Sequence, residues 1–243
     1  MKIEIHNTTY IFLLISFLAG YFEYMYILLL IIFIHETGHY ILAKINKVKI
    51  SKIIIYPFGG ITIFESDLNM NIKKELLILL GGILFQLLFF LLIKELYLNS
   101  NVTQHVYNIF YKINYILISF NFLPIVPLDG GKLINIILDK IFSYKKSMYI
   151  TIIISFLFTI YFILKKQTIL SIILSMFLAK EIFLEYKNIN YKYNKFLLER
   201  YLNDYKFNKI KIIKNINHFK RDNYHIVNNE FEEKVLYNFF KMI

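Results

Sequence analysis

The densest chemistry in the chain lies in five consecutive residues, His35-Glu36-Thr37-Gly38-His39. On a helix, positions four apart share a face, so both imidazoles can hold one zinc ion. Glu36 follows His35 by about 100° around the helix. That places its carboxylate beside an open coordination position, where it can take a proton from water. The plainer reading is a set of polar side chains satisfied within a helix bundle. The setting argues against it, because ionisable groups inside an apolar run are costly and mark functional sites.

A catalytic zinc takes three protein ligands, and the motif supplies two. Asp129, Asp139, Glu23, His105 and Glu65 are the candidates for the third. Asp129 sits in Asn121-Phe122-Leu123-Pro124-Ile125-Val126-Pro127-Leu128-Asp129-Gly130-Gly131, at the end of an apolar stretch. Pro124 and Pro127 break a helix there, and the glycine pair lets the backbone approach another group closely. That suits a carboxylate presented into a cavity. Asp139, beside Lys140, reads as a solvated surface charge. His105 and Glu65 fall in polar loops, and Glu23 in a tight loop on the outer side.

The elements that must position these groups are apolar. Of 243 residues, 57% are hydrophobic, above the roughly 45–50% of soluble domains. Uncharged runs near 18 residues are long enough to cross a bilayer. They predict an all-α polytopic membrane protein with about six transmembrane helices, over residues 8–21, 25–43, 76–93, 107–124, 148–164 and 167–186. Six buried helices of a soluble protein would need polar faces that these runs lack. The first run has no small-residue cleavage pattern after it and reads as a retained span. Lys49–Phe64, with β-branched runs flanking Pro57 and Gly59-Gly60, predicts a membrane-associated β-hairpin. Residues 1–186 form the expected transmembrane domain. Residues 187–243 form a short basic tail of α+β character, with strands near 208–213 and 224–227 and a helix near 230–241.

Lys and Arg number 28 against 17 Asp and Glu. With the N-terminus inside, 23 of those cations fall on the inner side. Three (Lys94, Lys165 and Lys166) fall outside, and Lys112 and Lys180 lie within spans. The asymmetry puts both termini in the cytoplasm. It also accounts for the positive charge without a nucleic acid partner. With no cysteine in the chain, disulfides, thiolate metal sites and thiol catalysis are excluded.

His-Glu-Thr-Gly-His in a span, Tyr56-Pro57-Phe58-Gly59-Gly60 in a hairpin, and the Asn121–Gly131 segment together resemble the site-2 protease family of intramembrane zinc metalloproteases. Lys195-Phe196-Leu197-Leu198-Glu199-Arg200-Tyr201 resembles the stretch after the last span in that family's sporulation branch. The resemblance implies Zn2+ as cofactor, with His35, His39 and Asp129 as ligands and Glu36 as the catalytic base. It implies that Asn121 lines the site, with Pro124 and Pro127 shaping it. Asn121 has a second reading, bonding the backbone freed by the two prolines. A strand edge carrying Phe58, Gly59 and Gly60 would pair with an unwound substrate, as in β-augmentation; a hairpin that only plugs the bundle is the alternative.

The implied substrate is a membrane-associated protein, a pro-sigma factor processed in sporulation. Inhibitory or scaffold membrane proteins are the implied partners in the bilayer. The implied place is the cell membrane, around the forespore on the mother-cell side. Two departures stand out. Gly82 occupies a position where the family often has proline, within Gly81-Gly82-Ile83-Leu84-Phe85-Gln86. The tail is also half the length of a paired cystathionine-β-synthase module, so it reads as at most a truncated one. A PDZ-like insertion, the mark of the stress-response branch, is missing. A housekeeping intramembrane protease clearing signal-peptide remnants is the second reading. A metal transporter or sensor is the third, disfavoured because the halves show no repeat.

Overall fold

The structure is a computed structural model describing residues 2–57, 59–64, 68–165, 168–203, 205–207 and 209–241. Two compact units divide the chain. One comprises Met1–Ser66 with Leu76–Asn121, the other Asp67–Glu75 with Phe122–Ile243.

The first unit opens on strand β1 (Lys2–Ile5), followed by helices α1 (Asn7–Leu18) and α2 (Phe22–Ile45). The hairpin follows as β2 (Ile50–Tyr56) and β3 (Gly59–Phe64), then α3 (Ile72–Leu98) and α4 (Gln104–Asn121). Strand β3 runs antiparallel to β2, with Tyr56 opposite Gly59 and Ile53 opposite Thr62. Strand β1 pairs parallel with β2, Ile3 facing Ile53. Four residues are too few for periodicity to reveal a strand, and β1 was not foreseen. It fills one edge of the hairpin and leaves β3 at the other end of the sheet. Ile27, Ile31 and Ile32 of α2 pack with Ile53 and Ile55 of β2 and with Ile109, Phe110 and Leu117 of α4.

The second unit carries α5 (Asp129–Ile141), α6 (Tyr144–Lys165) and α7 (Ile169–Leu202), then β4 (Ile210–Ile213), β5 (Tyr224–Val227), β6 (Glu230–Phe231) and α8 (Glu232–Lys241). Thr168 and Ser171 form a reciprocal capping box that starts α7. The helix then runs unbroken across residue 187, where the tail was expected to begin. In the small sheet β4 pairs parallel with β5, and β5 antiparallel with β6. The core joins Tyr144 and Met148 of α6, Ile189, Tyr193, Phe196 and Leu197 of α7, and Ile213, Phe219, Val227 and Leu236 of the tail.

Among the described residues, α2, α3 and α6 are long and apolar enough to cross a membrane. The expected count was about six. Helix α1 has 12 residues and rises only about 18 Å, short of a hydrocarbon core of roughly 30 Å. Helix α4 reaches 18 residues but is diluted by Gln104, His105, Asn108, Lys112 and Asn114.

Candidate active site

Helix α2 turns His35, Glu36 and His39 inward, each 4% exposed. One ligand atom from each lies within 4.8 Å of the others. The space beside them exists because side chains are missing. A Cβ on Gly82 of α3 would stand 2.5 Å from His39 Nε2 and 2.6 Å from His35 Nε2. At the preceding residue, a Cβ on Gly81 would stand 2.8 Å from the Gly38 carbonyl oxygen. The glycines of the two helices therefore allow backbone-to-backbone contact under the histidine pair.

Both rings are oriented from behind. His39 Nδ1 donates to the Ile78 carbonyl at 2.9 Å. His35 Nδ1 lies 3.0 Å from Gln86 Oε1. Gln86 Nε2 donates to the Asn114 carbonyl at 3.3 Å, which fixes the amide so that its oxygen faces His35. With protons on both Nδ1 atoms, both Nε2 atoms carry lone pairs. Those atoms are 3.1 Å apart and cannot hydrogen-bond each other, so this donor set calls for a cation. Neutral imidazoles held through the other ring nitrogen are how metal-binding histidines are presented. The arrangement fits zinc.

The contact of Gln86 with His35 is not assigned by the motif reading, which takes the Gly81–Gln86 segment only for helix packing. Gln86 is the single polar side chain in the run Leu76–Ile93, and that isolation was the available signal. Gly60 is explained in the same way. A Cβ there would fall 2.5 Å from Glu36 Oε1, so the hairpin backbone lies directly against the carboxylate. Gly59 meets nothing within 4 Å, and Phe58 lies outside the described residues.

Asp129 is the first residue of α5 in the second unit, 7% exposed, with Lys132 Nζ 3.1 Å from its Oδ1. The segment before it folds back on the first turn of the helix. Ile125 N donates to the Leu123 carbonyl at 2.7 Å and Leu128 N to the Ile125 carbonyl at 2.9 Å. The Val126–Pro127 peptide is cis. A Cβ on Gly130 would lie 2.5 Å from the Phe122 carbonyl carbon, and one on Gly131 2.5 Å from that of Ile125. Both glycines are thus required by the close approach expected of them. Pro124 is in the same loop, and Asn121 closes α4, half-buried.

Of the other candidate ligands, three lie within the described residues. His105 and Glu23 pair with each other, 3.4 Å apart and exposed. Glu65 lies outside the described residues. Asp139, expected as a solvated charge, is 1% exposed. It accepts from Ser147 Oγ and from Arg221 Nη1 at 3.0 Å. Its neighbour Lys140 points to solvent, so adjacency in sequence misled. Burial pushes the Asp139 carboxyl up to about 6, against the pull of Arg221.

Comparison with known proteins settles what this site belongs to. The sequence model of peptidase family M50 matches residues 23–102 and 93–164, more than half of the chain and the whole of the His-Glu-x-x-His helix. The chain belongs to peptidase family M50. It is an intramembrane zinc metalloprotease with apolar helices long enough to cross a membrane. This M50 chain is 32% identical to stage IV sporulation protein FB of Bacillus subtilis over 207 residues, covering 83% of the chain and 72% of that protein. It is 32% identical over 162 residues to a zinc metalloprotease of Methanocaldococcus jannaschii, covering 60% of the chain and 45% of that protein. Among solved structures, the site-2 protease of the same archaeon superposes with a TM-score of 0.61 at 27% identity. That match covers 75% of this chain and 89% of that one.

Proposed function

We propose that this M50 protease removes the N-terminal pro-sequence of a membrane-associated pro-sigma factor during sporulation. The observation that carries the reading is the likeness to stage IV sporulation protein FB. It covers 83% of the chain, more than residues 1–186 can supply, so it extends into the tail. His35, His39 and Asp129 hold the metal in this reading, and Glu36 is the catalytic base. Zinc, when bound, supplies a Lewis acid and lowers the pKa of water toward about 7.

The residues of the chain do the rest. Glu36 takes the proton of the attacking water and returns one to the leaving amine nitrogen. The ring nitrogens of His35 and His39 stay in one tautomer through Gln86 and Ile78. Gly60 brings the hairpin backbone to the Glu36 carboxylate, so a substrate strand added to β3 would run past the base. Gly59 opens that strand, and Phe58, Asn121, Pro124 and Pro127 complete the substrate-positioning set of this reading. A helical peptide bond is shielded by its own hydrogen bonds, and strand addition exposes it.

Both termini face the cytoplasm in this reading, residues 1–186 form the catalytic domain, and the tail is a shortened cystathionine-β-synthase-like module. Inhibitory membrane proteins restrain the enzyme, which acts in the membrane around the forespore on the mother-cell side. Co-expression with a tagged pro-sigma substrate tests the proposal. The wild-type chain should shorten the substrate and Glu36→Gln should not. An intact pro-sigma factor beside efficient cleavage of signal-peptide remnants would favour the housekeeping reading instead.

A further inference from the structure

Helix α5, which begins with Asp129, is fastened along its whole length by groups outside the catalytic motifs. Helix α6 presents Ser147, Thr151, Ser155 and Thr159 at four-residue intervals, all at most 3% exposed. Three of these hydroxyls reach the Asp129 segment. Ser155 Oγ accepts from Val126 N at 3.0 Å. Thr151 Oγ1 donates to Asn135 Oδ1 at 3.1 Å. Ser147 Oγ donates to Asp139 Oδ1. The tail closes the far end. Arg221, whose side chain is 3% exposed, binds Asp139 Oδ2 at 3.0 Å, Glu75 Oε2 at 2.5 Å and the Met70 carbonyl at 2.7 Å. Beside it, Lys220 Nζ caps the Ile141 carbonyl, and Tyr144 N donates to the Phe219 carbonyl at 2.9 Å.

A buried arginine is costly unless its charge is paired; here Nη1 and Nη2 reach two carboxylates and a carbonyl from two segments of the chain, while Nε makes no hydrogen bond. Asp129 and Asp139 are ten residues apart on one helix, roughly 15 Å. A 13-residue helix gripped at both ends and along its side moves as a unit with its grips. We infer that Arg221, acting through Asp139, is a positioning residue for Asp129, so that the tail sets how firmly the aspartate holds the metal. This rests on the assignment of Asp129 as a zinc ligand.

The test is the rate at which the full-length, zinc-loaded protein in detergent releases zinc to a colorimetric chelator, with the visible spectrum of the Co2+-substituted protein as a second readout. Arg221→Met and Ser147→Ala should each release zinc roughly ten- to a hundredfold faster, the usual effect of losing a group that orients a metal ligand. Both should alter the Co2+ spectrum, and Arg221→Lys should recover part of the loss. Leu236→Ala is the control. Leu236, 1% exposed, packs in the tail core, so its truncation loosens the tail while removing none of the hydrogen bonds that hold α5. It should lower the thermal midpoint while leaving zinc release near wild type.

Equal acceleration by Leu236→Ala and Arg221→Met would overturn the inference, because the role would then be structural only. Unchanged release in Arg221→Met and Ser147→Ala, with fast release in Asp129→Ala, would overturn it while leaving the ligand assignment standing. Unchanged release in Asp129→Ala would remove the assignment and this inference together. Should Arg221→Met fail to fold, Ser147→Ala, which deletes one hydroxyl, decides alone.

Discussion

Two imidazoles whose lone pairs face each other at 3.1 Å repel unless a cation lies near both. The groups behind them therefore matter as much as the rings. Gln86→Leu should leave the helices in place but free the His35 ring, weakening zinc binding by roughly ten- to a hundredfold in a chelator competition. Glu36→Gln should keep zinc at wild-type stoichiometry by elemental analysis while cleavage falls by about 10²–10⁴-fold. Retained cleavage would refute the role given to Glu36. The histidine pair and its glutamate were legible because their spacing has one chemical use. The hold of Gln86 on His35, the space Gly82 leaves and the contact of Gly60 with Glu36 were not, because each matters through what it leaves open or holds from another element. Spacing within one helix says nothing about a neighbour's backbone.

At the scale of elements, the glycines decide how closely α2 and α3 approach. Gly81→Leu would push its side chain into the Gly38 backbone and Leu42. The expected result is a lower thermal midpoint together with lost zinc, since the histidine floor moves with α3. A variant that kept both would show the close approach to be dispensable. Asp129→Asn should weaken zinc retention more than Asp139→Asn at equal stability, as a ligand should against a positioning group. The hairpin, the tail strands and the long apolar helices could be read from β-branched runs, turn residues and hydropathy. Helix α1 ends after 12 residues, at Gly20 with φ +76, a stop that a hydropathy window over 8–21 does not register. Strand β1 gains its meaning only from β2, more than forty residues away.

At the scale of the molecule, the tail belongs to a core rather than to a tether. Phe219 is fully buried against α6 and α7. Phe219→Ala should therefore cost about 3–5 kcal/mol, read from denaturant melts. Deleting 204–243 would strip the cover from Phe196 and Leu197, so an effect on folding is expected where a loose appendage would have shown only altered regulation. His225 adds a pH dependence. It is fully buried, and Nε2 accepts from Lys220 N at 3.0 Å. Burial holds its pKa below the usual 6.5, outweighing the bond to Glu232. The unfolded chain then binds the proton more readily, so the stability His225 contributes is present above about 6.5 and is lost as pH falls. Asp139 works in the opposite sense, its contribution being lost as pH rises through about 6. The difference in thermal midpoint between wild type and His225→Asn should therefore shrink from pH 7.5 to 5.5. A constant difference would remove His225 as its source.

Helix α7 carries 34 residues without a break, a rod of about 51 Å from an apolar first half to the tail core. A rod with no joint transmits rotation. One alanine inserted near Lys187 would turn everything beyond it by about 100°, whereas seven would bring the far end back to within about 20° of its starting phase. Activity that fell with one inserted residue and returned with seven would mean that the enzyme reads the angular setting of its own tail.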